Sequence, residues 1–162
     1  MNTFTPNTKI KSSEINANFA GLKNGTEIDN GAITQRSQVT GTTTISNSAA
    51  GYQDMTDMSI TITTAGGDVF IAWHASCYST ASGSDNRFAI LVDGVAVTGT
   101  AFTQHANSGF NFPCSMQYLK TGLSAASHTF KVQWYRASGT LVNAAASGVH
   151  LYRSFTVIEI KK

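Results

Sequence analysis

The chain has 162 residues, 41% of them hydrophobic and only 12% charged, with 11 Lys and Arg against 9 Asp and Glu. This length suits one domain with a substantial core and leaves no room for a second full domain. The basic residues are scattered rather than clustered, which argues against nucleic-acid binding, and no apolar run approaches the ~20 residues that insertion across a membrane requires.

The N-terminal stretch MNTFTPNTKIKSSEINANF contains no apolar signal-peptide core, so the expectation is a product made without a secretory leader. Ser12 or Ser13 can cap a helix with Glu14 in its first turn, where a carboxylate meets the positive end of the helix dipole. Ile15, Phe19 and Leu22 form one apolar stripe, and Asn24-Gly25 supplies a left-handed stop. Isolated helices below ~12 to 15 residues are marginal in water. The stripe therefore needs cover, either from the chain's own head or from another chain.

From Gly25 to Tyr52 the sequence is rich in Thr, Ser, Asn, Gly and Ala, with isolated Ile28, Ile33, Val39 and Ile45. It reads as a linker followed by an edge strand. The organisation is then an anchor segment over 1–33, a linker or edge strand over 34–55, and a head over 56–162.

In the head, apolar and polar residues alternate at period two, as a sheet with one buried face requires. Met58 to Thr63 is the first such run, and Ala65-Gly66-Gly67-Asp68 turns the chain. The next run carries Val69, Ile71, Trp73, Ala75 and Cys77 on one face and Phe70, Ala72, His74, Ser76 and Tyr78 on the other. Arg87–Val92 and Val95–Val97 flank Asp93-Gly94, a strong hairpin signal because both central positions of a type I′ turn need positive φ. Phe110–Leu119 is a further strand, which Pro113 assigns to an edge or a bulge because proline cannot donate to the ladder. His128–Arg136 alternates again, and Val149–Ile160 closes the chain as a long strand. Strands joined by Gly and Ser turns, with no helical runs between them, predict a mainly β fold built as an antiparallel sandwich.

Chemistry is sparse. Cys77 and Cys114 sit on the apolar parity of their strands and read as reduced, buried thiols, with a disulfide as the minority alternative. No Cys-x-x-Cys or paired-His spacing marks a metal site. His74, His105, His128 and His150 lack any surrounding catalytic motif and are expected at surfaces or interfaces. No catalytic residue and no cofactor is assigned. Trp73 and Trp134, on apolar strand faces, belong to the core. Ligand contacts are expected instead in the polar loops Ser79–Asn86, Thr103–Gly109 and Ala137–Ser147, with Tyr78, Asn86, His105, Asn107 and Asn143 as candidates.

The leader Phe4-Thr5-Pro6-Asn7-Thr8, then Ile10 and Ser12-Ser13-Glu14-Ile15-Asn16-Ala17-Asn18-Phe19-Ala20-Gly21-Leu22, resembles the N-terminal attachment segment of tailed-bacteriophage fibre and tail-associated proteins. The head is similar to jelly-roll tips of phage fibres and to trimeric tumour-necrosis-factor or C1q-like heads, through Gly122-Leu123-Ser124, Ser127 to Trp134 and Arg153 to Ile160. The resemblance implies a jelly-roll-like head, a homotrimer, and a virion location reached through Phe4, Ile10, Ile15, Phe19 and Leu22 docking to a phage head or tail structural protein. It further implies contact with a host cell-surface glycan or protein. The chain lacks the long shaft of a full tail fibre, so a short spike, head fibre or decoration protein fits equally. A carbohydrate-binding module or lectin outside any virion is the alternative, carried by the loop aromatics.

Overall fold

The computed structural model describes residues 33–103, 110–145 and 152–160. They form two antiparallel sheets. Sheet 1 contains β1 (Ile33–Gly41), β2 (Ile45–Asn47), β4 (Asp68–Ser79), β7 (Phe112–Lys120), β9 (Leu141–Asn143) and β10 (Arg153–Ile160). Sheet 2 contains β3 (Gln53–Thr63), β5 (Asp85–Val92), β6 (Val95–Thr103) and β8 (Ser127–Arg136), in the order β3-β8-β5-β6.

The register reduces sheet 1 to four lanes. Ser154 to Ile160 of β10 run beside His74 to Asp68 of β4, and Leu141 to Asn143 of β9 run beside Ser79 to Cys77 on the same strand. Strands β9 and β10 are thus one interrupted lane. β1 and β2 form another, pairing β10 and β9 in turn. The lanes are β1/β2, β9/β10, β4 and β7, facing a four-strand partner sheet.

Alternation fixes which face is buried. Val69, Ile71, Trp73, Ala75 and Cys77 of β4 are at most 6% exposed, as are Phe88, Ile90 and Val92 of β5 and Phe130, Val132 and Trp134 of β8. Two facing sheets interleave these side chains into one core. A file of aromatic rings crosses it, with Trp73 to Phe88 at 5.0 Å between centroids, Phe88 to Phe102 at 6.0 Å and Phe102 to Phe112 at 5.1 Å. Both tryptophans are in the core, and both cysteines are buried free thiols.

Several boundaries differ from the sequence reading. The stretch read as a linker or edge strand does hold an edge strand, β1 along β10, which starts already at Ile33, with Val39 and Ile45 packed against the core. It carries few apolar residues because an edge lane has one neighbour and needs only a sparse inner face. The sandwich also takes up β3 from Gln53, earlier than the run at Met58, because the strand contains a bulge between Asp54 and Ser59. Across the bulge Met55 and Met58 both point inward although three positions apart, which breaks the period-two pattern. Asp57, at φ 62°, absorbs the extra residue. β6 runs on to Thr103, its outer half hidden in sequence by the small polar run Thr98-Gly99-Thr100-Ala101. β9 was not anticipated, being only three residues long. The hairpin was: β5 and β6 pair around Asp93-Gly94, at φ 50° and 81°. Pro113 lies on β7, which pairs only with β4 among the described residues, as an edge proline should. The expected N-terminal helix lies outside the described residues.

The bulge meets a buried cation. Arg153, fully buried on β10, donates from Nε to the Thr56 carbonyl at 3.1 Å and from Nη2 to the Asp57 carboxylate at 2.9 Å. Its Nη1 donates to the Thr43 carbonyl at 2.7 Å and to Asn143 Oδ1 at 3.0 Å. Burial lowers the pKa of the guanidinium and Asp57 opposes that shift. A Cβ at Gly41 would fall 2.1 Å from Arg153 Cζ, so only glycine leaves room for the group. Replacing Arg153 by Ala is expected to cost about 1–3 kcal/mol, because it empties a fully buried site and removes the guanidinium donor to the buried Asn143 amide, while the exposed Asp57 can turn to water. Gly41→Ala should cost about 1–3 kcal/mol by overpacking the same spot. Urea denaturation of both variants checks this, and a wild-type midpoint in either would contradict it.

Candidate functional site

The outward parity of sheet 2 builds a polar groove. β8 presents Thr129, Lys131, Gln133 and Tyr135, the residues opposite in phase to its buried His128, Phe130, Val132 and Trp134. Gln133 lies between Asp54 of β3 and Ala89 of β5, and Lys131 between Ser59 and Leu91. The Asp54 carboxylate accepts from Lys131 Nζ at 2.7 Å and Gln133 Nε2 at 2.8 Å. These bonds, Lys131 first, hold Asp54 below the usual carboxylate range. Ala89 and Leu91, 8% and 7% exposed, keep the floor low, and the groove of about 460 Å³ extends to the Asp93-Gly94 turn.

One pair of residues further along β8 stands an aromatic wall. Tyr135 is flanked by Tyr52, with centroids 5.4 Å apart and planes inclined at 40°, and by the Arg87 guanidinium 5.4 Å from its centroid. Tyr52 is 45% exposed. Asp85 fixes Arg87 through Nε at 2.9 Å and Nη2 at 2.5 Å. Beside the groove, Gly99 packs its Cα so closely on Phe88 O that a Cβ would come within 2.8 Å. Small residues thus keep β6 as an open shelf.

His128 lies beneath the Asp93 end of the groove, on the inward parity of β8. Expected at a surface or interface, it is instead 8% exposed, because its parity matches that of Phe130 and Val132. Nδ1 lies 2.7 Å from Asp93 Oδ2 and Nε2 3.1 Å from the Ser124 carbonyl, while Asp93 Oδ1 accepts from Thr129 N at 2.8 Å. Two acceptors, one on each ring nitrogen, suit a doubly protonated ring. The Asp93 bond accordingly raises the His128 pKa, and the same bond lowers that of Asp93.

The outer face of sheet 1 is different. Arg36, Ile158, Phe70 and Leu119 form one cross-strand row, and Gln38, Thr156, Ala72 and Gln117 the next. Thr40, Ser154, His74 and Ser115 make the third. Ile33 and Ile160 pair at the end of β1, Ile33 being 63% and Leu119 48% exposed. The result is an apolar band on a nearly uncharged face.

The candidate ligand residues of the sequence reading do not converge. Asn86 is fully buried, donating to the Ser84 carbonyl at 3.0 Å and accepting from Ser84 Oγ at 3.2 Å. Asn143 is fully buried too, donating to the Ser76 carbonyl at 2.8 Å and holding Arg153. Both amides serve the fold, because a buried amide has to be satisfied by the protein itself. Tyr78 is half-buried on the outer face of sheet 1. His105 and Asn107 lie outside the described residues, as do Phe4, Ile10, Ile15, Phe19 and Leu22. Among the described residues no group of three or more His, Cys, Asp or Glu is placed to hold a metal ion. The groove residues escaped notice since Tyr52 and Asp54 belong to the supposed linker. Lys131, Gln133 and Tyr135 were visible as one face of an alternating strand.

No protein-family model and no curated protein matches this chain. Among solved structures it is similar to dimeric latent PorU from Porphyromonas gingivalis, at 10% identity and a TM-score of 0.49, over 82% of this chain and 14% of PorU. It is also similar to the CBM36-1 domain of a multidomain xylanase from the hindgut metagenome of Trinervitermes trinervoides, at 11% identity and a TM-score of 0.36, over 76% of this chain and 96% of that domain. At these values neither neighbour says what this chain binds or does.

The His128 and Asp93 shifts define a pH window. A raised histidine contributes fully below its unfolded value of about 6.5 and loses that contribution as pH climbs through the higher folded value. A lowered carboxylate contributes above its unfolded value of about 3.9 and loses that contribution as pH falls. Urea midpoints should therefore decline on the alkaline side of about pH 6.5, and His128→Gln should flatten that slope. An unchanged alkaline slope in the variant would refute the assignment.

Proposed function

We propose that the chain is a non-enzymatic structural protein of a tailed-bacteriophage virion, a short spike or fibre whose head is a homotrimer. Residues 1–33 dock it to a head or tail component, and the sandwich projects outward. The observation that carries this reading is the outer face of sheet 1. Ile33, Ile160, Ile158, Phe70 and Leu119 make a continuous apolar band, and contiguous exposed apolar surface of this kind marks interaction sites. The next row is Gln38, Thr156, Ala72 and Gln117, uncharged side chains that identical copies can meet through, while Arg36 and Asp68 stand at the margins of the band. The band begins at Ile33, the first residue of β1.

Connectivity supports the same reading. The chain places strand after strand into the lanes β1/β2, β9/β10, β4, β7 and β3, β8, β5, β6, an arrangement we read as a jelly roll. That is the head type implied by the resemblance through Gly122-Leu123-Ser124, Ser127 to Trp134 and Arg153 to Ile160.

Light scattering should return three times the chain mass for the full-length protein. The double variant Ile158→Glu, Leu119→Glu should return one chain mass with an unchanged circular dichroism spectrum, and a wild-type monomer would end the trimer reading. Deleting residues 1–25 should leave a folded trimer that no longer joins the particle. Retained incorporation would refute the anchor.

A further inference from the structure

We infer that the groove on the outer face of sheet 2 is a binding site for a neutral, hexose-containing oligosaccharide. This deepens the outward-facing half of the reading above, and it can fail without the trimer failing.

Charge excludes the ionic alternatives first. Lys131 is matched by Asp54, Arg87 by Asp85, and His128 by Asp93. The groove has no surplus of either sign, so it offers nothing to a phosphate, a sialic acid or a polycation. It does offer both kinds of hydrogen-bonding group at close range. Asp54 supplies carboxylate oxygens, while Lys131 Nζ and Gln133 Nε2, both now bonded to it, supply donors. A sugar hydroxyl is both donor and acceptor, and can enter such a triad by giving its proton to the carboxylate and receiving one from the amide or ammonium. A purely apolar ligand would break these bonds and return nothing.

The aromatic wall supplies the second half of the argument. Tyr52 exposes 45% of its surface while leaning on Tyr135, which Arg87 braces from the β5 side. A propped, partly exposed ring is a flat apolar platform of low conformational freedom. Pyranose rings have an apolar C–H face to set on such a platform and hydroxyls at the rim to meet the polar triad. Tyr135 and Gln133 are two residues apart on β8, roughly 7 Å along the strand. The platform and the triad can therefore engage neighbouring sugar units of one chain. The low floor at Ala89 and Leu91 keeps the path between them open.

Saturation-transfer NMR on the full-length protein tests this with maltotriose, cellotriose, mannotriose and chitotriose, and with sialyllactose as the acidic control. The expected result is transfer to at least one neutral trisaccharide and none to sialyllactose. Tyr52→Ala and Gln133→Ala should each weaken binding by about tenfold, the effect of losing one good contact, with unaltered thermal melting. Thr121→Ala, at an exposed position just after β7, should leave it unchanged. No transfer to any neutral probe, preference for sialyllactose, or binding that survives both groove variants would overturn the proposal. Light scattering on the same samples separates the two ideas. A trimer that binds no sugar sinks the groove alone, and a monomer that binds sugar sinks the assembly alone.

Discussion

A single guanidinium inside the sandwich ties together parts of the chain that the sheets themselves leave apart. Arg153 joins the turn after β1, the bulge of β3 and the short strand β9, and it spans both sheets. An unpartnered cation at zero exposure would cost several kcal/mol, so its partners have to be present together. Glycine at 41 makes the room, Asp57 takes a left-handed backbone, and Asn143 turns its amide oxygen inward. The edge lane of sheet 1 is interrupted between β1 and β2, and the lane beside it between β9 and β10, where this group binds Thr43 and Asn143.

Opposite that knot, a second polar cluster finishes the sandwich. Glu159, 1% exposed, accepts from Thr34 Oγ1 at 3.0 Å, Gln35 Nε2 at 2.6 Å and Ala65 N at 2.7 Å. The carboxylate pins the first turn of β1 to β10 and to the turn between β3 and β4. Between these polar ends lies an apolar middle of Trp, Phe, Ile and Val. The core therefore supplies cohesion without direction, and the buried charges at either end fix the register of the outer strands.

With the inner faces consumed by the core, function is left to the two outer faces, which the same alternation has made unlike. Sheet 1 presents Ile, Phe and Leu beside Arg36 in one cross-strand row, with a row of Gln, Thr and Ala next to it. Sheet 2 presents matched ion pairs around a groove with a tyrosine wall, a surface suited to hydroxyl-rich ligands.

Much of this was legible in the sequence. Alternation in Val69–Cys77 and His128–Arg136 named the buried face of both central strands, and Asp93-Gly94 named the hairpin, because period and turn chemistry are local properties of the backbone. Even the outward set Thr129, Lys131, Gln133 and Tyr135 could be read from parity. What could not be read is which residues from other strands stand beside them. Tyr52 immediately precedes β3 and Asp54 lies at its start, across a bulge from the clean run at Met58, and Asn86 and Asn143 look like ligand residues until the fold buries them. Arg153, Asp57 and Gly41 are each unremarkable in sequence and meaningful only as neighbours. The sequence alone determined strand, turn and inner face, since those depend on a few adjacent residues. Tertiary structure alone decided the partners of the buried charges and the members of the groove, because many of these contacts, from Lys131 with Asp54 to Arg153 with Thr43, join residues 77 to 110 positions apart, whose meeting is set by sheet order and register.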